Sequence, residues 1–458
     1  MPLPLYALAL AVFVMGTSEF MLAGLLPAVA TDVDVPIGTA GLLTSAFAIG
    51  MVIGAPLMAA VARRWSARPT LLLCVFVFAA CHVTGALTTL FDVLLLTRVV
   101  SAIANAGFLA VALRTATSLV PPDRSGRALS VLLSGTTIAT VAGVPAGGLL
   151  GTALGWRAPF WVIAALCIPA VLGILRGVPR GPLNAPARRP TAGPGSSTTP
   201  AAAPSAGSSR GPSTGSSRRP TAGSCGGPTG APASRPAAAP AVETSAAGAA
   251  SVAASGRRGG DRPGLRAELR LLATPRLLTP MVLAALVNGG TFAVFTFLAP
   301  IVTDVAGLSE TWVPLALVLF GVGSFVGVTI AGRLADSRPG SALAVGGPLL
   351  LLGWITTALV ADQPIALLAL VLLQGTLSFG VGTTLIARVL SAATEAPTMG
   401  GAYATVALNL GAVAGPMLGG AALSMGFGAL APVGVACALT AVALVVMLLS
   451  RRALLGTP

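Results

Sequence analysis

The sequence predicts an all-α membrane protein built as two six-helix halves, and three observations carry that prediction. Twelve apolar runs recur along its 458 residues, each close to the roughly 20 residues that a helix needs to cross a hydrocarbon core. Apolar residues make up 55% of the chain and charged residues only 9%, against about 25% charged in globular proteins. The arginines gather in alternate connections, which is how charge orients spans in a bilayer.

Taken in order, the runs cover 4–29, 40–62, 70–90, 93–118, 126–151 and 157–178, then 277–302, 311–334, 341–361, 364–390, 398–423 and 427–449. Arg63, Arg64, Arg68, Arg124, Arg127, Arg333, Arg338, Arg451 and Arg452 all fall on one side of this arrangement, with the central stretch. Asp32, Asp34, Asp92, Asp304, Glu310 and Asp362 fall on the other, where Arg157 is the basic exception. Both termini are therefore expected in the cytoplasm of a multi-pass protein. Ala28-Val29-Ala30 resembles a signal cleavage site, but no basic segment precedes the run and Glu19 interrupts it, so the first helix is expected to be retained.

Composition excludes several kinds of chemistry. All 27 basic residues are Arg, so no Lys is present for a phosphate-binding P-loop or a Schiff base. One His (His82) and five Cys, without CxxC or HExxH spacing, give no basis for a metal site or a His-dependent catalyst. No enzyme activity and no cofactor are expected. The net charge of +14 does not read as a nucleic-acid face, because ten of the Arg lie in one low-complexity stretch and most others end apolar runs. His82 falls near the end of the third run and reads as interfacial, with no assigned role.

Residues 179–264 are almost entirely Ala, Pro, Gly, Ser, Thr and Arg, a composition that cannot bury enough apolar surface to offset ordering entropy. The reading is a disordered cytoplasmic linker between an N-terminal bundle, 1–178, and a C-terminal bundle, 277–458. Its Gly207-Ser208-Ser209-Arg210-Gly211 matches a nucleophile pattern but lacks the strand and helix that make such a serine reactive. Residues 265–276 mix Leu with Arg266, Glu268 and Arg270 and read as a short interfacial helix.

The halves repeat. A shift of 273 places Gly50 on Gly323 and Gly54 on Gly327, and a shift of 271 places Pro145 on Pro416. The register also exposes an asymmetry, since Glu19 falls on Phe292. Glu19 is the one carboxylate deep in a predicted span, where a charge costs about 3 kcal/mol or more and usually faces an internal cavity. Arg98 is its natural partner: at about 1.5 Å per residue the two lie at similar depth. Gly143 with Gly147, and Gly411 with Gly415, have the spacing that lets helices approach closely, while Pro145 and Pro416 each remove a backbone donor.

These residues also carry a family resemblance. Gly16-Thr17-Ser18-Glu19-Phe20, continuing to Gly24-Leu25-Leu26-Pro27, resembles the first helix of twelve-span drug:proton antiporters of the major facilitator superfamily. Gly143-Val144-Pro145-Ala146-Gly147-Gly148, with Gly155-Trp156-Arg157, is similar to that group's antiporter motif in helix five. Arg98 fits its helix-four arginine motif, although Ser101 and Ala102 stand where Gln and Gly are usual. Gly332-Arg333-Leu334-Ala335-Asp336 matches the gating motif between helices eight and nine; the first-half copy departs from it at Ala59 and Arg63. The text around Glu19, with Asn105-Ala106-Gly107-Phe108-Leu109 and Leu132-Leu133-Ser134-Gly135-Thr136-Thr137, most resembles actinobacterial chloramphenicol exporters.

The resemblance implies a monomeric antiporter of the bacterial cell membrane that exchanges protons for a small-molecule drug, phenicols first, by alternating access. The alternative is a proton-coupled exporter or importer of another small metabolite, such as a sugar, nucleoside or natural product. Glu19 and Arg98 are then the proton-coupling pair. Asn105, Asn288, Phe292 and Gln374 are expected to contact substrate in a cavity lined by helices one, four, seven and ten. Gly143, Pro145, Gly147, Gly148, Gly332, Asp336, Gly415 and Pro416 are expected to gate or pack the helices. The expected surroundings are substrate, protons and lipid, with no nucleic acid.

Overall fold

The structure is a computed structural model that describes residues 2–61, 65–121, 124–178, 268, 270–335, 339–394, 396 and 399–450. The expected linker, Arg63 and Asp336 lie outside the described residues. Every described regular element is a helix, and twelve are long and apolar enough to cross a membrane. Helices suit that setting because each satisfies its own backbone groups where no water can.

We label the spanning helices in chain order. The first half holds α1 (Leu3–Phe20), α2 (Leu42–Val61), α3 (Ala67–Leu87), α4 (Phe91–Ser118), α5 (Ser125–Ile138, resumed as Val144–Leu154) and α6 (Ala158–Gly177). The second holds α7 (Pro275–Thr296), α8 (Val313–Ala335), α9 (Pro339–Val360), α10 (Pro364–Ala392), α11 (Gly400–Ser424) and α12 (Ala431–Leu449). The first and seventh crossings are not single α-helices. After Phe20 the chain passes through a 3-10 turn, Met21–Gly24, into Leu26–Asp32, because Pro27 supplies no N–H to the preceding turn. After Thr296 it passes through Leu298–Pro300 into a π turn, Ile301–Val305.

The packing repeats as the sequence does. In the first half α1 lies against α5 and α6, α4 against α2 and α3, and α3 against α6; each pairing recurs six helices later. Glycine contacts fix the register. A Cβ on Gly50 would strike Val99 O and one on Gly54 would come within 3.0 Å of Ile103 Cα. Their counterparts Gly323 and Gly327 meet Leu372 O and Thr376 O, every partner displaced by the same 273 positions. Each half has its own apolar core, the first around Phe78, Phe108 and Leu132, the second around Trp354, Leu317 and Leu385.

Two helix pairs join the halves, α2 with α11 and α5 with α8, and the repeat exchanges one pair for the other. The side away from the termini is closed between the halves. There Gly38 packs on Gly420, where a Cβ would meet backbone, and Leu26, Ala30 and Ala40 close around Phe297. Nearer the centre, Ser45 Oγ donates to Val413 O at 2.9 Å.

Of residues 265–276, Leu271–Ala273 form a 3-10 turn and α7 begins at Pro275. Glu268 is buried, at 1% exposure. Its Oε2 accepts from the Met399 N–H at 2.9 Å, at the N-terminus of α11, and its carbonyl accepts from Tyr403 Oη at 2.8 Å. A carboxylate there meets both an unpaired donor and the positive end of the helix dipole.

The glycine contacts are testable. Gly50→Ala and Gly323→Ala should each cost about 1–3 kcal/mol by overpacking. Gly434→Ala, where a Cβ meets open space, should stay within about 0.5 kcal/mol of wild type. Unfolding midpoints of the purified variants in detergent check this.

Candidate functional site

The centre of the molecule is organised by the end of α1. Glu19 is the penultimate residue before that helix breaks, and the break is held from behind by α5. Pro145 cannot donate to the preceding turn, and α5 widens there into a π turn, Ala139–Gly143. Gly143, Gly147 and Gly151 follow at every fourth residue and form a groove for Thr17, Met21 and Leu25, also spaced by four. Gly143 has no room for a Cβ beside the Thr17 side chain, so the glycine lets α1 come this close to α5.

Glu19 is partly exposed to a cavity between the halves that encloses about 620 Å³ of free space, its mouth included. Phe20 and Thr136 join it from the first half; Asn288, Phe292, Phe379, Thr383 and Asn409 face it from the second. The lining runs from the midplane toward the side of the termini, reaching Ile386 late in α10 and Leu408 early in α11. Among the described residues Glu19 is the one ionisable side chain in the lining. Asn288 Nδ2 donates to Leu408 O at 2.7 Å and Asn409 Nδ2 to Thr405 O at 2.9 Å, which leaves the amide oxygens as acceptors. Among the described residues the hydroxyls of Ser378 and Thr383, also in the lining, have no partner. Phe20 and Phe292 stack at 6.0 Å between centroids, and Phe292, Phe295, Phe320 and Phe379 continue the aromatic chain into the second half.

Arg98 reaches α1 from α4 and is 1% exposed. Its Nη1 donates to Ser18 Oγ and its Nη2 to Ser18 O, both at 2.9 Å, while its guanidinium lies 4.5 Å over the Phe47 ring. Among the described residues no ion pair joins Arg98 to Glu19. The guanidinium is held instead on the residue beside it, from where its charge reaches the carboxyl through space. Behind Ser18 stands His82, whose Nε2 is 2.7 Å from Ser18 Oγ and whose Nδ1 is 2.7 Å from Phe78 O. The interfacial placement expected for His82 is corrected: it is 2% exposed, because its ring packs between Phe78 and Phe160 and both nitrogens are engaged.

Of the four expected cavity contacts, the structure brings Asn288 and Phe292 to the Glu19 cavity and turns two away. Asn105 is corrected because its side chain faces α2, with Nδ2 on Met51 Sδ at 3.8 Å, inside a cluster with Phe47 and Ala106. Gln374 is corrected because it faces α9, where Nε2 donates to Leu350 O at 3.3 Å beside Gly353. It lines a separate apolar void with Trp354 and Phe320. Sequence reading missed Asn409, Ser378 and Thr383; their signal is a polar side chain in an apolar run.

The packing residues divide similarly. Gly415 backs onto Gly289, and a Cβ on Gly148 would lie in ordinary contact, 3.7 Å, with Pro314 and Leu317 of α8. Pro145 and Pro416 are buried, and Pro416 lies within an unbroken α11. A Cβ on Gly332 of the gating motif would meet no atom within 4 Å among the described residues. The Arg157 exception has a local explanation: Nη1 pairs with Asp32 at 2.6 Å, Nη2 donates to Thr88 O at 3.3 Å, and the guanidinium stacks on Trp156 at 4.3 Å.

A family model described as the Major Facilitator Superfamily matches residues 8–416. The chain belongs to the major facilitator superfamily. It is 52% identical over 97% of its length to the "Chloramphenicol resistance protein" of Streptomyces lividans, covering 95% of that relative. It is 28% identical over 93% of its length to the "Inner membrane transport protein YdhP" of Escherichia coli strain K12, covering 90% of that protein. Among solved structures, the human organic anion transporter MFSD10 aligns over 97% of this chain and 98% of its own, with a TM-score of 0.56 at 18% identity. That likeness establishes the shared fold of this multi-pass transporter family.

Arg98→Lys keeps the charge but replaces a two-pronged grip on Ser18 with a single ammonium. It should cost about 1–3 kcal/mol, the range for a lost hydrogen bond to a charged group. The unfolding midpoint in detergent should fall accordingly.

Proposed function

We propose that this chain is a proton-coupled exporter of uncharged aromatic drugs, phenicols first, in the bacterial cell membrane. The observation that carries the reading is that, among the described residues, Glu19 is the ionisable group lining the cavity between the two halves. A carboxyl there can take a proton in one orientation of the halves and release it in the other. The remaining lining suits an aryl ring with hydroxyl and amide donors: Phe20, Phe292 and Phe379 offer faces, and Asn288, Asn409, Ser378 and Thr383 offer acceptors and hydroxyls. The name of the Streptomyces lividans relative points to the same drug class.

Arg68, Arg124 and Arg127, near the starts of α3 and α5, fall on the side of the termini, with Arg333 at the end of α8; Asp32, Asp92 and Asp362 lie opposite. The termini are then cytoplasmic, and the cavity receives drug from that side while the Gly38–Gly420 face is shut. Rocking about the α2–α11 and α5–α8 contacts exposes Glu19 to the outside, where protonation favours drug release. Arg98, fixed on Ser18, holds positive charge near the carboxyl in both orientations. A single chain contains both halves and the whole lining, so the monomer suffices.

A phenicol-sensitive host expressing this chain should survive higher chloramphenicol than the empty host. Glu19→Gln should express normally and lose proton-driven drug uptake into inverted vesicles; full uptake by that variant would refute the role of the carboxyl. Deleting residues 185–255 should leave export in place, as measured by the same vesicle assay.

A further inference from the structure

The Ser18 hydroxyl has one proton to give. Arg98 Nη1 is a donor only, so Ser18 Oγ must accept from it, and the hydroxyl proton is left for the other neighbour at 2.7 Å, His82 Nε2. Phe78 O can only accept, so the ring proton of His82 sits on Nδ1. The chain of donors then runs one way, from Arg98 to Ser18 to His82 to the α3 backbone. All three side chains are at most 2% exposed, so no solvent replaces a lost member. Arg98 from α4 is the charged group facing His82; Glu19 follows Ser18 on α1, Cys81 precedes His82 on its own helix, and α6 presents Phe160.

We propose that His82 is a positioning residue for proton coupling: by accepting from Ser18 Oγ it fixes that hydroxyl, and with it the Arg98 guanidinium, beside Glu19. The inference rests on the reading of Glu19 as the proton carrier. An unfixed hydroxyl turns away from Arg98 and leaves a guanidinium whose Nε already has no partner among the described residues. Arg98 then loses its defined place relative to the carboxyl, which alters the pH response of transport rather than the fold.

His82 is the only histidine in the chain, so protein made with ring-¹⁵N histidine and a histidine-free tag gives one imidazole signal. That signal should report a neutral ring protonated at Nδ1, and Ser18→Ala should move the Nε2 resonance. An Nε2-protonated ring in wild type overturns the proposal. In inverted vesicles supplied with chloramphenicol, His82→Phe keeps the packed ring but removes the acceptor. It should lower the proton-driven rate about two- to tenfold, the scale of one neutral hydrogen bond, and shift the pH midpoint in the same direction as Ser18→Ala. The double variant should be no worse than either single one, as for residues acting in one chain. His82→Gln places an amide oxygen where Nε2 stood and should recover most of the rate. If His82→Phe retains the wild-type rate and pH profile, or if His82→Gln fails with His82→Phe while Ser18→Ala is normal, the positioning role is wrong. Should His82→Phe not fold, Ser18→Ala and His82→Gln decide alone. Glu19→Gln separates the two ideas: full coupling in that variant removes the carboxyl reading, whereas lost coupling beside a wild-type His82→Phe removes only the role of His82.

Discussion

The structure depends on keeping a carboxyl and a guanidinium inside a bundle where each polar group must find a partner without bulk water. The protein does not meet this constraint by closing the two into a direct pair. Arg98 places two of its guanidinium nitrogens on the oxygens of Ser18, and Glu19 keeps its face on the cavity. A direct pair would neutralise both charges at the cost of that exposure. Placing the cation one residue away supplies its field without occupying the carboxyl, and the glycine groove of α5 holds the α1 break at which Glu19 stands.

The same economy governs the contact between the halves. Close helix approaches repeat at Gly50 and Gly323 within each bundle, and two helix pairs cross between them. Those pairs differ in texture. Opposite the termini, Gly38 on Gly420 is backbone against backbone, a contact that is either made or parted. At Gly148 a Cβ would make only ordinary contact with Leu317, so that approach is looser.

Much of this was legible in the sequence because it depends on composition and spacing. Twelve runs of sufficient length cannot be stable outside a bilayer, and the Gly50 and Gly54 register carried through to their partners because backbone contact tolerates no other residue. Depth was legible too: Glu19 and Arg98 were placed at one level by counting residues. Direction around the helix axis was not. Asn105 and Gln374 lie at plausible depths yet point to α2 and α9, since both faces of a buried helix are apolar and no periodicity separates them. His82 was assigned to the interface from its place near a helix end, and only the Phe78–Phe160 packing reveals that it is engulfed.

Glu268 ties the covalent joint between the halves to a particular place. The chain enters the second bundle just before α7, yet its buried carboxylate and carbonyl are fastened to the first turns of α11. The fastening therefore passes over α7 and lands on α11, the helix that bears on α2. The entry to the second bundle is thereby anchored on the very helix that meets the first.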